Sequence, residues 1–568
     1  MKTSHSPSRL RSRMASRLVP FCRLSVLAHA AWLATSAAAV EIDTGNADLS
    51  IRFDNTIKAS AMYRLKNADP ALVDTVRQIP TGAPPPAPSS FAFPQAQNFN
   101  AGDDNFRRKG FVSERVDLLS EFDVAYRKSF GARISAAAWY DRAYRRTTDA
   151  TDPGNGQTPY NEFPDYTKKL AGRKAEVLDA FVFGGVDLGD GRKLTARLGR
   201  HALQYGETLF FGDNGIARAQ GPVDVMKLQS SPNAQFKEII RPVPQLSTQL
   251  QLNQNVTLGA YYQFRWEADR MAPAGSYFNT SNNIWGSTLP EFFNGAVLQP
   301  GSDRTPPNSG QFGAQLKWRL DETDLGFYAA RYHDKSGVFY SHLPTDWYYT
   351  FPGAITTFGA SATRTIGDTN FSVEASIRNN MPLVNENISY GFFPGQPELR
   401  YARGRTAHVN VSWLTSLGPN FLARESTFIG EFAFNTVLKK DDPDNQLDPV
   451  RTRSASALQF IFSPTYRQAL PGLDLNVPIG VRYALDGRSS ITGQGWGPRG
   501  TGTATFGVEG NYLGVWQFTM NFTHFIGKAT PFVDYAPLLS TPPGTPNYKV
   551  GSDLADRDNI SVSLRRSF

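Results

Sequence analysis

Residues 556–568 read Asp556-Arg557-Asp558-Asn559-Ile560-Ser561-Val562-Ser563-Leu564-Arg565-Arg566-Ser567-Phe568, and their pattern decides the fold. Ile560, Val562, Leu564 and Phe568 share one face, and Asn559, Ser561, Ser563, Arg565 and Ser567 share the other. A period of two is a strand with a single apolar face. Ending such a strand on an aromatic residue with a free carboxylate is the expected form of the strand that closes a membrane barrel. Lipid offers no hydrogen bonds, so every edge in it must be paired. Two demands follow for the rest of the chain: an even number of similar strands, and a secretory signal in front of them.

Residues 1–39 have the form of that signal. Lys2, Arg9, Arg11, Arg13, Arg17 and Arg23 stand in the first 23 residues with no acidic residue among them. Residues 24–33 are a short apolar run, and Ser36-Ala37-Ala38-Ala39 offers a small-residue cleavage site, most simply after Ala39. The run falls short of the ~20 residues that a membrane-spanning helix needs. The formal charge of +8 loses these six cations on cleavage, leaving 8 − 6 = +2 for residues 40–568. The basic balance of the full chain is therefore poor evidence for a nucleic-acid partner. Cys22, the one cysteine, also lies in the signal. The mature chain has no thiol, disulfide or cysteine-based metal site.

Composition agrees with a barrel. Mean hydropathy is −0.37 and aromatic residues make up 12% of the chain. That balance suits strands apolar on one side only, which hydropathy windows overlook. Residues 49–65 open the pattern: Leu49, Ile51, Phe53, Ile57, Ala59, Ala61, Tyr63 and Leu65 alternate with polar residues. Further strands are expected over 113–126, 132–144, 256–266, 473–485 and 515–526. Short turns are expected at 127–131, 189–191, 253–255, 321–324, 367–370, 417–420, 471–472 and 513–514, and long connections lie between the pairs. Alternation of short and long connections is the outer-membrane arrangement of periplasmic turns and extracellular loops. The expected fold is all-β: a transmembrane antiparallel barrel of about 18 strands over residues 40–568, with ~16 open because 325–334 and 355–365 are ambiguous in phase. Tyr63, Tyr144 and Trp266 end upward strands, while Tyr126, Trp318, Trp413 and Trp516 lie near short turns. They are expected to form two aromatic girdles.

In a barrel this wide the inward faces line water. Inward phase falls on Arg115, Asp117, Glu121, Arg197, Gln249, Gln263, Arg265, Lys317, Glu374, Arg378, Glu431 and Arg482, with both signs present. The connection at about 206–243 is the more specific place. Its start, Arg200-His201-Ala202-Leu203-Gln204-Tyr205-Gly206-Glu207-Thr208-Leu209-Phe210-Phe211-Gly212-Asp213, is rich in glycine and aromatics and loses the alternation. An external loop has no need of Leu-Phe-Phe, so this connection is expected to fold into the lumen. Arg200, His201, Tyr205, Glu207, Phe210, Phe211, Asp213 and Arg218 are the candidate constriction. The bland alternative is a loop packed on the barrel rim.

Several segments carry a family resemblance: Arg52-Phe53-Asp54-Asn55-Thr56-Ile57-Lys58, Gly102-Asp103-Asp104-Asn105-Phe106 and Arg115-Val116-Asp117-Leu118-Leu119-Ser120-Glu121. Residues 199–215 and 224–238, with Tyr261-Tyr262-Gln263-Phe264 and Pro273-Ala274-Gly275-Ser276-Tyr277-Phe278, complete the set. The chain resembles the uncharacterised proteobacterial family described as domain of unknown function 1302. The resemblance implies a porin-like outer-membrane barrel and supplies no substrate or binding residues. His201 and Tyr205 stand where the family pattern implies Gln and Trp.

Nothing favours an enzyme. No Gly-x-Ser-x-Gly, phosphate loop or His-Glu-x-x-His is present, and His201, His333, His342, His408 and His524 are scattered without ligand spacing. No catalytic residue, metal or cofactor is called for. The expected function is an outer-membrane channel for passive passage of small polar or partly apolar organic solutes. The alternatives are a transporter of hydrophobic compounds with a plugged lumen and lateral release, or the outer-membrane partner of an export system. The expected partners are outer-membrane lipid, the barrel-assembly machinery, for which Phe568 is the signal, and an unidentified solute. A homo-oligomer stays open.

Overall fold

A computed structural model describes residues 40–73, 100–151, 159–231, 236–281, 284–287, 291–293, 296–342, 345–385, 388–390, 398, 400–441, 447–448, 451–530, 533–534, 547–548 and 551–568. The expected signal at 1–39, Cys22 within it, and residues 232–235 of the 206–243 connection lie outside the described residues.

Eighteen antiparallel strands form one closed wall. They are β1 Leu49–Arg64, β2 Gly110–Tyr126, β3 Phe130–Asp141, β4 Arg173–Gly189, β5 Arg192–His201 and β6 Val243–Gln251. Next come β7 Val256–Gln263, β8 Gln311–Leu320, β9 Thr323–Tyr332, β10 Ile355–Ile366, β11 Thr369–Pro382 and β12 Arg403–Leu417. The wall continues through β13 Glu425–Lys440, β14 Ser454–Leu470, β15, β16 Gly502–Tyr512, β17 Trp516–Ile526 and β18 Asn559–Ser567. Strand β15 is split into Leu473–Asn476 and Ile479–Asp486 around Pro478, which has no N–H to give the ladder. Both parts pair with β14 on one side and β16 on the other. The two segments of ambiguous phase are β9 and β10, so the count is eighteen.

The last strand closes on the first, with Ile560 opposite Tyr63 and Ser567 opposite Thr56. Asn55 and Phe568 exchange two backbone hydrogen bonds of 2.7 and 2.8 Å. A short strand, Val40–Ile42, continues along the same edge of β1, with Val40 opposite Phe53.

Short and long connections alternate around the wall, with the short ones at the expected places. Between β4 and β5 the turn is Asp190-Gly191, with φ of 54° and 73°. Two consecutive positive φ values are what a two-residue hairpin needs to match the strand twist, and Asp and Gly adopt them readily. No described helix is long and apolar enough to cross a membrane.

Burial runs opposite to that of a water-soluble sheet. On β18, Asn559, Ser561, Ser563 and Arg565 are buried, while Val562 is exposed with Ile560 and Leu564 half-buried. On β7, Leu258 and Tyr262 are exposed while Tyr261 and Gln263 are buried. The outer face is thus an apolar belt and the inner face is polar, the distribution suited to a wall between lipid and water. An Asp at Leu258 is expected to cost roughly 2 kcal/mol or less of unfolding free energy, because acidic residues cost less than basic ones on this face. An Asp at Gln249, inward and water-exposed on β6, should cost less still. Equal costs in a urea titration of the refolded protein would reverse the two faces.

Tyr63, Tyr126 and Trp318 are exposed at strand ends, as girdles require. Trp516 is half-buried under the Arg566 guanidinium, 5.0 Å from the ring centre. Two expected girdle residues are elsewhere. Strand β3 stops at Asp141, so Tyr144 turns into the outer loops and is buried against Phe106 and Phe163. Strand β7 stops at Gln263, and Trp266 folds inward to donate Nε1–H to the Asp334 carbonyl at 3.0 Å and to pack on Phe351.

The loops at the long-connection end are tied down by buried charge. Arg64 of β1 pairs with Asp103 at 3.0 Å and Asp556 at 2.7 Å, and Arg557 pairs with Asp103 at 3.1 Å. Asp103 belongs to the Gly102-Asp103-Asp104-Asn105-Phe106 motif. At Gly102 any Cβ would lie 2.2 Å from the Asn279 carbonyl oxygen, so only glycine admits this close approach.

Candidate functional site: the segment between β5 and β6

After His201 the chain leaves the wall and returns at Val243. Residues 205–218 lie against the inward faces of strands on the far side, and two wall carboxylates hold them there. Glu374 of β11 accepts the N–H of Glu207 at 2.7 Å through Oε2 and that of Ile216 at 2.6 Å through Oε1. Glu431 of β13 accepts from Leu209 at 3.1 Å, Phe211 at 2.9 Å and also Phe210, all through Oε2. Its other oxygen accepts from Asn410 Nδ2 at 2.7 Å. A carboxylate is the strongest acceptor a side chain offers to a run of backbone N–H groups.

Gly206 and Gly215 flank Glu374. A Cβ on Gly206 would sit 2.3 Å from Oε2 and one on Gly215 2.7 Å from Oε1, so both glycines are needed for the carboxylate to reach the backbone. Arg378, two pleat repeats along β11 from Glu374, takes up the carbonyls left over. It donates to the oxygens of Asp213, Asn214 and Gly215 at 3.1, 2.8 and 2.8 Å. The fully buried Asn214 donates to the carbonyls of Val409 and Phe434, and its Oδ1 accepts from Asn435 Nδ2 at 3.1 Å. His408 Nδ1 lies 3.0 Å from the same oxygen.

The structure brings some candidate residues together. Glu207 forms an ion pair with Lys317 of β8, and Tyr328 donates to the same carboxylate at 3.4 Å. Phe211 packs on Ala433, Ala457 and Trp496, with the Arg482 guanidinium 5.0 Å above its ring. Tyr205 is buried edge-on to Tyr261, at 5.6 Å between ring centres, and burial pushes its hydroxyl up to about 12. Phe210 is half-buried, and Leu209 is 48% exposed toward the lumen.

Asp213 and Arg218 belong to a buried charge cluster. Arg218 reaches Asp213 at 3.2 Å, Asp269 at 2.8 Å and Asp334 at 2.5 Å. Burial opposes the charge on Arg218, but Asp269 and Asp334 outweigh it and hold the guanidinium well above its usual value. Lys335 sits beside it, pushed down to about 8 by burial and by the Arg218 charge.

Other candidates stand apart. Arg200 pairs with Glu267 at 2.7 Å near the long loops. His201 Nε2 is 2.7 Å from Ser247 Oγ within the wall. Arg115 is paired with Asp117 on β2, Glu121 with Arg133 of β3, and Arg197 lies over Phe181. Gln263 is buried and donates to the Gln220 carbonyl. Arg265 lies beyond the end of β7 and is exposed among the long loops. The anchoring part played by Glu374, Glu431, Arg378 and Asn214 was not visible in the sequence. A period of two tells which side a residue faces, never what it meets across the barrel.

Residues 224–231 and Glu238 lie against the opposite arc. Asp224 and Glu176 of β4 both pair with Arg270, at 2.7 and 2.5 Å. Lys58 of β1 donates to Ser231 at 2.8 Å, and Glu238 lies 3.7 Å from Lys58 and 3.8 Å from Arg565 of β18. Among the described residues no group of three or more His, Cys, Asp or Glu side chains is placed to hold a metal ion.

No curated protein matches the chain. Among solved structures it is similar to Acinetobacter baumannii OccAB1, at 7% identity over 91% of this chain and 96% of that one, with a TM-score of 0.42. It is also similar to Pseudomonas aeruginosa OccK1 (OpdK), at 9% identity over 91% and 98% with a TM-score of 0.39. A third similar structure is Salmonella typhi OmpF, at 8% identity over 93% and 100% with a TM-score of 0.34. A family model matches residues 21–568, almost the whole chain and all eighteen strands, and the protein belongs to the family described as "Protein of unknown function (DUF1302)".

Proposed function

We propose that this barrel is an outer-membrane channel for the passive passage of small polar or partly apolar organic solutes, narrowed from within by residues 205–218. One observation carries the reading: backbone N–H groups of the segment between β5 and β6 are held by Glu374 and Glu431, inward-facing residues of strands on the far side. A segment so held takes up part of the lumen cross-section, and the groups it leaves exposed set what passes. Leu209 and Phe210 supply an apolar edge, and the Glu207–Lys317 pair brings both charge signs to one place. That mixture favours neither strong anion nor strong cation preference.

A second reading, a transporter with a plugged lumen or the outer-membrane partner of an export system, is favoured by the contacts of Asp224 and Glu238 on the other arc. Single-channel recording of the refolded mature chain in a planar bilayer separates the two. Steady openings, with conductance that rises when residues 208–220 are trimmed, are expected. A folded barrel that passes no current, trimmed or not, overturns the channel reading in favour of the second. Current unchanged by trimming overturns the constriction.

A further inference from the structure

Near the long loops a second feature adjoins the inner segment through Asp269: a cavity of about 570 Å³ bordered by the ends of β4, β5 and β7. Its charge is uneven. Arg200 and Arg241 share one carboxylate, Glu267, at 2.7 and 2.9 Å. Burial, with the Arg270 charge behind it, holds Arg241 below the usual arginine value. The other carboxylate in the lining, Asp269, is taken up by Arg218 at 2.8 Å. Arg265 is exposed at the mouth and makes no ion pair among the described residues. The cavity therefore presents more positive charge than its own carboxylates neutralise.

Its aromatic walls are equally one-sided. Trp266 donates Nε1–H to the Asp334 carbonyl at 3.0 Å, and Trp285 donates Nε1–H to Asp303 at 2.7 Å. Trp285 is stacked on Phe351 at 3° between ring planes, and Trp266 meets Phe351 edge-on. Both indoles thus have their polar atoms satisfied by the protein and their rings held in place, so what they offer the cavity is apolar ring surface. Rigid rings beside guanidinium groups fit a ligand with a flat apolar body and a single carboxylate: the body lies on an indole and the carboxylate faces the fork of an arginine.

We propose that this cavity is a binding site for small aromatic monocarboxylates, with Arg265 and Arg241 receiving the carboxylate and Trp266 and Trp285 the ring. The site deepens the channel reading by naming a solute class, and rests on it only for the ligand's onward passage. Binding itself is independent of conduction.

The test is calorimetric titration of the full mature barrel in detergent with benzoate as the probe, and with benzamide and acetate as controls. Saturable benzoate binding is expected, with acetate weaker because it lacks a ring and benzamide weaker because it lacks the charge. Arg265→Gln and Trp285→Leu should each weaken benzoate by about tenfold, the order expected for one charge-assisted contact and for one aromatic ring contact respectively. Arg265 is exposed, so its replacement leaves the fold intact. Arg133→Gln, a distant lumen cation, serves as the control variant and should leave benzoate binding unchanged. No saturable binding, or equal affinity in wild type and both cavity variants, overturns the site. Equal losses in Arg133→Gln also overturn it, since they mark diffuse attraction to lumen charge. Benzoate binding in a barrel that passes no current would leave the site standing and remove the channel reading. Current without binding would do the reverse.

Discussion

Replacing Glu431 with alanine will loosen the inner segment and raise conductance toward that of the trimmed barrel. The carboxylate accepts three successive backbone N–H groups, from Leu209, Phe210 and Phe211. Without it those donors face the cost of a buried unsatisfied group, about 1–3 kcal/mol each. The wall of eighteen paired strands cannot move to meet them, whereas the segment can swing into the aqueous lumen and find water. Movement of the segment therefore wins over burial of the orphaned donors. Combining Glu431→Ala with Glu374→Ala also removes the acceptor at both ends of the 207–216 stretch and should add to the effect. Glu431→Gln keeps an acceptor oxygen without the charge and should fall between. Single-channel recordings of the three variants check the order. Wild-type conductance in the double variant would mean that Arg378 and Asn214 suffice to hold the segment.

Removal of Phe568 should sharply reduce the amount of barrel reaching the outer membrane while barely altering its stability once folded. Phe568 exchanges two backbone hydrogen bonds with Asn55, and neutral bonds of this kind are worth about 0.5–1.5 kcal/mol each. That is a small part of what holds eighteen strands together. A large loss in cells must then come from the step at which the closing strand is recognised and set against β1. Phe568→Ser, which retains both backbone bonds, separates the two contributions. The readings to compare are surface abundance in cells and the urea midpoint after refolding in detergent. Normal abundance of both variants would show that assembly does not read this residue.

The wall was legible because alternation is local. Ile560, Val562 and Leu564 declare their face within a few residues, and Asp190-Gly191 declares its turn by the dihedral angles those residues tolerate. The two misplaced aromatics mark the limit of that logic. Tyr144 and Trp266 keep the phase of β3 and β7, yet each lies three residues past the last paired one, where burial in the loop layer replaces contact with lipid. The inner site was less legible for a different reason. Ile216 and Glu374 are 158 residues apart, and Phe211 and Glu431 are 220 apart, and no local period links residues so far apart. Gly206 and Gly215 were visible as glycines, but the carboxylate that requires them could be seen only once β11 was placed opposite.

The edge of β1 carries a consequence for the chain's connectivity. Phe568 stands opposite Asn55 and Val40 opposite Phe53, running in the same direction. A single register position, opposite Asp54, separates Phe568 from Val40. In a variant made to begin at Val40, one inserted residue joining Phe568 to Val40 would turn the barrel into an uninterrupted loop of polypeptide without disturbing the register on either side. Cutting that loop at Leu513-Gly514, a short turn with positive φ at both residues, would give a circular permutant in which β17 leads and β16 ends the sequence. The wall would keep the same strand neighbours, and strand order in space would be separated from strand order in synthesis.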